Sequence, residues 1–249
     1  MENQMRVLVL GASGATGRKV VSQLVNRKIS TRIVVRNRSS ISKDILDNDI
    51  VQTVVGNIYE FDKGKNDEIT KGCDAFVCCL GHNITLRGIF GKPHLLVTHS
   101  LKNVCESVSG TSTNKVKVIL MNTTANEDKR MNEKRSAGER AVLSILTTLL
   151  PPQKDNVEAA KYLVSVIGEN NRTIEWTAVR PDTLTDEDEE SAYEVVDTIT
   201  RSPLFDPGKT SRINVGHFMA ALLTDEDLWN KWKSKMPVIY NKNDDEKNA

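Results

Sequence analysis

The chain has 249 residues, 39% hydrophobic and 27% charged, which is enough apolar content to bury a full core in one domain. Lys and Arg number 34 against 33 Asp and Glu, so no global field draws the protein to nucleic acid or to an anionic membrane, and any anion site must be local. The first apolar run, 7–10, is too short and too late for a signal peptide, and no stretch approaches the roughly 20 apolar residues of a membrane span, so a cytoplasmic protein is expected.

In chain order, short β-branched runs alternate with helix-period segments. Strands are predicted at 6–10, 31–36, 51–55, 75–80, 116–121 and 174–179, each apolar throughout, as strands covered on both faces should be. Helices are predicted at 15–27, 62–70, 93–108, 136–149 and 155–168. This βαβ repetition implies an α/β fold with a doubly wound parallel sheet, Rossmann-like, in the default order 3-2-1-4-5-6. One domain over 1–241 and a frayed tail over 242–249 are expected, with small elements on the substrate side near the C-terminus. Two charged stretches, 124–140 and 182–193, read as solvated surface. Cys73, Cys78, Cys79 and Cys105 lack metal-ligand spacing and read as reduced core thiols, so no metal is expected.

The chemistry begins where the first strand ends. Gly11, Gly14 and Gly17 fall at i, i+3 and i+6 between a strand and a helix, the context that gives this glycine pattern its meaning. Gly11 permits the tight turn, Gly14 lets backbone approach a pyrophosphate, and Gly17 lets helix and strand pack closely, with Ser13, Ala15 and Thr16 completing the turn at the helix N-terminus. Where NAD-binding versions carry an acid after the second strand, this chain reads Val34-Val35-Arg36-Asn37-Arg38-Ser39-Ser40. Arg36, with Arg38 close by, suits a 2′-phosphate by charge-assisted hydrogen bonds, which favours NADP(H); the alternative is a pair of solvated loop arginines.

With these residues in view, the chain resembles an atypical short-chain dehydrogenase/reductase of the NAD(P)-binding group that includes biliverdin-IXβ reductase and the NmrA-like proteins. The carriers are GASGATGR (11–18), VVRNRS (34–39), GNI (56–58), CDAFVCCLG (73–81), VILMNTT (118–124), DNVEAAKYL (155–163), WTAVRPDTL (176–184), SRINVGHFMAALL (211–223) and PVIYN (237–241). The resemblance implies Asn57 and Ile58 near the adenine, Leu80 and Gly81 beneath the nicotinamide ribose, and Thr123 beside the nicotinamide. It also implies that Arg180-Pro181 turns the chain over the cofactor. Thr123 is a catalytic candidate on the same ground, or else a plain strand former.

The departure from ordinary members is at the proton donor. A Tyr-x-x-x-Lys pair is expected on the helix after strand five, and aligning on 160–163 puts Pro152 and Asn156 there instead. The biliverdin-IXβ branch holds Asp-His at this place, and this chain holds Asp155-Asn156. Asp155 is therefore a candidate, although with Glu158 it also has the spacing of an N-terminal capping box after Pro151-Pro152. His82, directly after Gly81, is a candidate donor or anion-binding group, or else a surface histidine. Arg87, Lys92 and His94 make the segment after it basic. These readings imply an NADPH-dependent reductase acting on a small molecule such as a flavin, quinone, tetrapyrrole or carbonyl compound, without nucleic acid or membrane as partner. The alternative from another class is an NADP(H)-binding sensor without turnover; monomer or homodimer is undecided.

Overall fold

The strands of the computed structural model alternate their side chains between two cores, and that alternation organises the molecule. The structure describes residues 5–82, 85–111 and 114–242, so all of the expected tail except Lys242 lies outside the described residues. In β1 (Arg6–Leu10), Val7 and Val9 point to one core and Leu8 and Leu10 to the other, as a period of two demands. All four are fully buried, which is why the run carries no polar residue.

The chain then lays down α1 (Ala15–Asn26), β2 (Ser30–Val35), the short α2 (Lys43–Leu46) and β3 (Val51–Val55). It crosses back through α3 (Lys63–Thr70) to β4 (Ala75–Cys78), then α4 (Leu86–Phe90), α5 (Leu96–Thr111) and β5 (Val116–Met121). After β5 come α6 (Ala137–Leu149), α7 (Pro151–Tyr162) and β6 (Ile174–Pro181). The C-terminal third adds β7 (Thr183–Thr185), β8 (Tyr193–Val196), β9 (Lys209–Ser211), α8 (Arg212–Thr224), α9 (Glu226–Trp232) and β10 (Val238–Asn241). The main sheet runs β3-β2-β1-β4-β5-β6-β10-β8, so the expected parallel order is present and is extended by β10, parallel to β6, and by β8, antiparallel to β10. The strands β7 and β9 form a separate parallel pair.

One face of the sheet is covered by α1, α8 and α9, with Val20, Leu24, Phe218, Leu222, Trp229 and Trp232 in its core. The other is covered by α3, α5 and α7, with Ile69, Leu101, Val104, Cys105, Ala160 and Leu163. Four buried cysteines are free thiols. No helix among the described residues is long and apolar enough to cross a membrane.

The stretch 124–140 departs from the solvated surface expected of its composition. Asp128, Glu133, Arg135 and Glu139 are buried there. The reason is Arg180 on β6, itself fully buried, whose Nη2 lies 2.6 Å from Glu133 Oε1. Its Nε donates to the Met236 carbonyl at 2.7 Å and Nη1 to the Asn126 carbonyl at 2.9 Å. Arg135 lies 3.5 Å from Glu133 and 3.7 Å from Glu139, which accepts in turn from Ser202 at 2.9 Å. Glu133, Arg135 and Glu139 thus face one another and Arg180 rather than water, while Lys129, Arg130, Lys134 and Arg140 stay exposed as expected. The acidic stretch 182–193 is likewise only partly solvated: buried Asp182 accepts from the Gly208 and Thr183 N–H groups, Asp186 pairs with Arg212 at 3.0 Å, and Glu190 accepts from Gln23.

A buried ion cluster is costly to break from one side, because the surviving charge loses its partner. Glu133→Ala should lower unfolding free energy by about 3–5 kcal/mol, measured by urea denaturation. A change within about 0.5 kcal/mol, the behaviour of an ordinary surface carboxylate, would contradict this packing.

Candidate coenzyme cleft

The three glycines of the first turn are required for three separate reasons. Gly11 has φ +77°, and a Cβ there would stand 2.4 Å from the Cys79 carbonyl oxygen. A side chain is excluded by conformation and by the exit of β4 together. A Cβ on Gly17 would stand 2.0 Å from the Gly11 carbonyl oxygen, so α1 could not pack against the turn. Gly14 is different: the nearest protein atom to a Cβ is the same oxygen at 3.1 Å, and its backbone (φ −73°, ψ 161°) is open to other residues. Its exposed side is a cradle that the fold itself does not need empty. Gly14 is also the N-cap of α1 without a side-chain cap, and the first turn has no acid. Its free N–H groups and the helix dipole are therefore available to an anion, which fits a coenzyme pyrophosphate.

This turn opens into a cleft of about 450 Å³ along the C-terminal ends of β1, β2, β3 and β4. Gly11, Ser13, Gly14, Arg36, Asn57, Ile58, Leu80, Gly81 and His82 all stand on its walls, so the structure brings together these nine residues singled out in the sequence. Arg36 is exposed and makes no ion pair with the described residues. The Asn57 side chain accepts from Tyr59 N–H and donates to Glu60, holding the turn after β3, while Ile58 is buried against the core. Thr85, Lys92, Pro93 and Leu96 close the far wall. Of these, only Lys92 carried a signal in the sequence, its charge. Arg87's side chain lies outside the described residues, and His94 donates from Nε2 to the Phe90 carbonyl at 3.0 Å.

Other expected residues lie elsewhere. Ala15, Thr16 and Gly17 stand behind the turn in α1, and Arg38 opens a 3₁₀ turn, Arg38–Ser40, in solvent. Thr123 is not on the cleft wall; its hydroxyl accepts from Ala125 N–H at 3.2 Å and shapes the loop after β5. Arg180 is not there either, since its guanidinium is fully engaged with Glu133 and three backbone carbonyls, and Pro181 is paired beside Ile239. The Arg-Pro step ties the C-terminal strands together instead of reaching over the cleft.

Asp155 requires a correction of its own. It does not cap the helix on which it lies: α7 begins at Pro151, because a proline at the first helical position loses no hydrogen bond, and Asp155 sits within its second turn. Its fully buried carboxylate crosses to α5, accepting from Val97 N–H at 2.8 Å and from Thr98 N–H and Oγ1 at 2.9 and 2.7 Å. It caps a helix, but one almost sixty residues away. A fourth contact, 2.8 Å, comes from His82 Nε2, whose side chain is only 7% exposed. His82 is thus no surface histidine. The neighbouring Cys78 thiol is pushed up to about 12 by burial, with Asp155 adding to the rise, and is neutral.

Fold and cleft together define a dinucleotide-binding α/β protein. The chain belongs to the NAD(P)H-binding family whose model matches residues 11–226. No curated protein matches the sequence. Among solved structures, a short-chain dehydrogenase/reductase from Veillonella parvula, in complex with NADP, superposes with a TM-score of 0.68 at 14% identity, covering 95% of this chain and 94% of that one. A candidate NADH-flavin reductase from Streptococcus pneumoniae gives 0.64 at 16% identity over 96% and 100% of the two chains. ChuY, an anaerobilin reductase from Escherichia coli O157:H7, gives 0.65 at 13% identity over 96% and 98%. At these identities the likeness is one of fold.

The contrast among the glycines is testable. Gly14→Val should keep native circular dichroism while abolishing coenzyme binding in calorimetry, since its side chain fills ligand space and not protein space. Gly17→Ala should lose folding stability itself. Normal coenzyme binding by Gly14→Val would contradict the placement of the pyrophosphate.

Proposed function

We propose that the protein is a cytoplasmic NADPH-dependent reductase that passes hydride to a small conjugated acceptor, a flavin, quinone, tetrapyrrole or carbonyl compound, without a Tyr-Lys pair. The observation that carries this reading is the cleft wall after β2, where Arg36 stands exposed and unpaired and 34–40 holds no carboxylate. A ribose 2′-hydroxyl would find no carboxylate there to accept from it, whereas a 2′-phosphate would find a guanidinium. The Veillonella neighbour with bound NADP agrees with this preference, and the flavin and anaerobilin reductases agree with a conjugated acceptor.

When bound, a reduced nicotinamide supplies the hydride. The chain's part is to bind and orient: the α1 N-terminus with Gly14 and Ser13 would hold the pyrophosphate, Asn57 and Ile58 would border the adenine, and Leu80 and Gly81 the nicotinamide ribose. Around the acceptor, the residues at the places of a Tyr-Lys pair cannot donate in the usual way. Pro152 has no donor, and the side-chain amide of Asn156, whose backbone carbonyl accepts from Asn122 Nδ2 at 2.9 Å, has no acidic proton to give. Tyr162, on the same helix, is packed in the core with Lys102 over its ring at 5.5 Å, and burial raises its phenol above the ordinary tyrosine range.

NADP(H) should bind at least about tenfold more tightly than NAD(H), because one charge-assisted phosphate contact contributes roughly 1.5–3 kcal/mol. Arg36→Ala should erase most of that difference. Equal calorimetric affinities in the native protein would overturn the preference. Steady NADPH oxidation across flavin, quinone, tetrapyrrole and carbonyl acceptors tests turnover; coenzyme binding with no turnover on any of them would favour a sensor.

Tyr162→Phe should retain most activity. A loss of about a hundredfold or more, the range of an essential proton donor, with folding and coenzyme affinity intact, would restore a tyrosine mechanism.

A further inference from the structure

His82 is a titratable group on the cleft wall that coenzyme binding leaves unused. It follows Gly81 at the exit of β4, and its imidazole is almost covered, with the remaining exposure on a residue that lines the cleft. Nε2 lies 2.8 Å from Asp155 Oδ2. Both carboxylate oxygens already accept backbone N–H groups at the start of α5, Oδ2 from Val97 and Oδ1 from Thr98. A carboxylate held in this way by a helix N-terminus offers the imidazole an acceptor, so Nε2 carries a proton and Nδ1 is the atom left for chemistry. Nδ1 has no hydrogen-bond partner among the described residues. Among the described residues, the neutral Cys78 thiol stands at the end of β4, and Lys92, on the loop before α5, and Arg36 line the same cleft.

We propose that His82 is the proton donor of the reduction and that Asp155 is its positioning residue, a histidine–carboxylate dyad assembled from β4 and α7 in place of the missing Tyr-Lys pair. This rests on the reductase reading and supplies the acid that the ketones and aldehydes among its acceptors need beside the reduced oxygen. As the acceptor carbon takes hydride from the reduced nicotinamide, the C=O π pair moves to oxygen, and the Nδ1–H bond of the imidazolium breaks to protonate that oxygen. The neutral imidazole keeps its Nε2–H on Asp155 and takes a fresh proton from water. Asp155 fixes the tautomer and ring orientation, as a carboxylate does for a catalytic histidine elsewhere.

The test uses two acceptors and one spectroscopic readout. His82→Gln keeps an amide within reach of Asp155 and should fold and bind NADPH as the native protein does. Its kcat on a ketone or aldehyde should fall about 10²–10⁴-fold. Reduction of a cationic phenothiazinium dye, which hydride neutralises without any proton, should be little changed. In the native protein, NMR of the imidazole nitrogens should show the neutral ring protonated at Nε2 and bare at Nδ1. A ring protonated at Nδ1, or equal losses on both acceptors, would overturn the dyad and leave the reductase standing. No turnover of native protein on either acceptor would overturn both readings. Asp155→Asn is the weaker variant, since it also removes the α5 cap and can unfold the protein.

Discussion

The carbonyl oxygen of Gly11 is the point on which the rest of the structure is built. It accepts the Gly14 N–H at 2.9 Å and stands where a Cβ on Gly17 would lie 2.0 Å away. On the other side of the same residue, a Cβ on Gly11 would meet β4. One turn therefore clamps β1, α1 and β4 within van der Waals contact, and only glycine allows it. Because α1 is pinned so close to the end of β1, its uncapped N-terminus faces the opening between the strand ends, and the cleft lies there by geometry.

Asp155 makes a second clamp of a different kind. A carboxylate without solvent is costly unless every lone pair finds a donor. Here Val97, Thr98 and His82 supply those donors, so the charge holds α5, α7 and the end of β4 in one arrangement. The Arg180 cluster applies the same physics farther along the sheet. Its guanidinium fastens the loop after β5 and the strand β10 to β6, again by hydrogen bonds that no water supplies. Buried charge in this molecule works as a set of directional ties between segments distant in sequence.

The sequence and the structure agree on the strands and the first turn, which depend on neighbours along the chain. Apolar continuity located β1 to β6, six of the seven strands that pair parallel in the main sheet, four of them to within a residue at each end, and the glycine spacing located the turn. Arg36, Asn57, Leu80 and Gly81 reached the cleft because each lies within three residues of the end of a parallel strand, and strand ends at the switch point are where an open α/β sheet leaves room. Disagreement begins with the charged residues. The stretch 124–140 has the composition of a solvated loop, and nothing local distinguishes a carboxylate that faces water from one that faces Arg180, about fifty residues on. Arg180 next to Pro181 invited a role over the cofactor, and the direction of its side chain was not legible from that dipeptide.

Asp155 shows the boundary most clearly. Read from the sequence, a carboxylate following two prolines caps its own helix, because capping depends on the short reach of the side chain and the free N–H groups of a first turn, and the structure starts that helix at Pro151 instead. By itself the sequence determined that His82 would stand at the mouth of a strand. Only the tertiary structure decided that the helix capped is α5 and that the same carboxylate binds His82. The physical reason is that periodicity, propensity and turn chemistry act over a few residues, whereas a hydrogen bond between Asp155 and His82 depends on the packing of α7 against α5 across a core that no local pattern encodes.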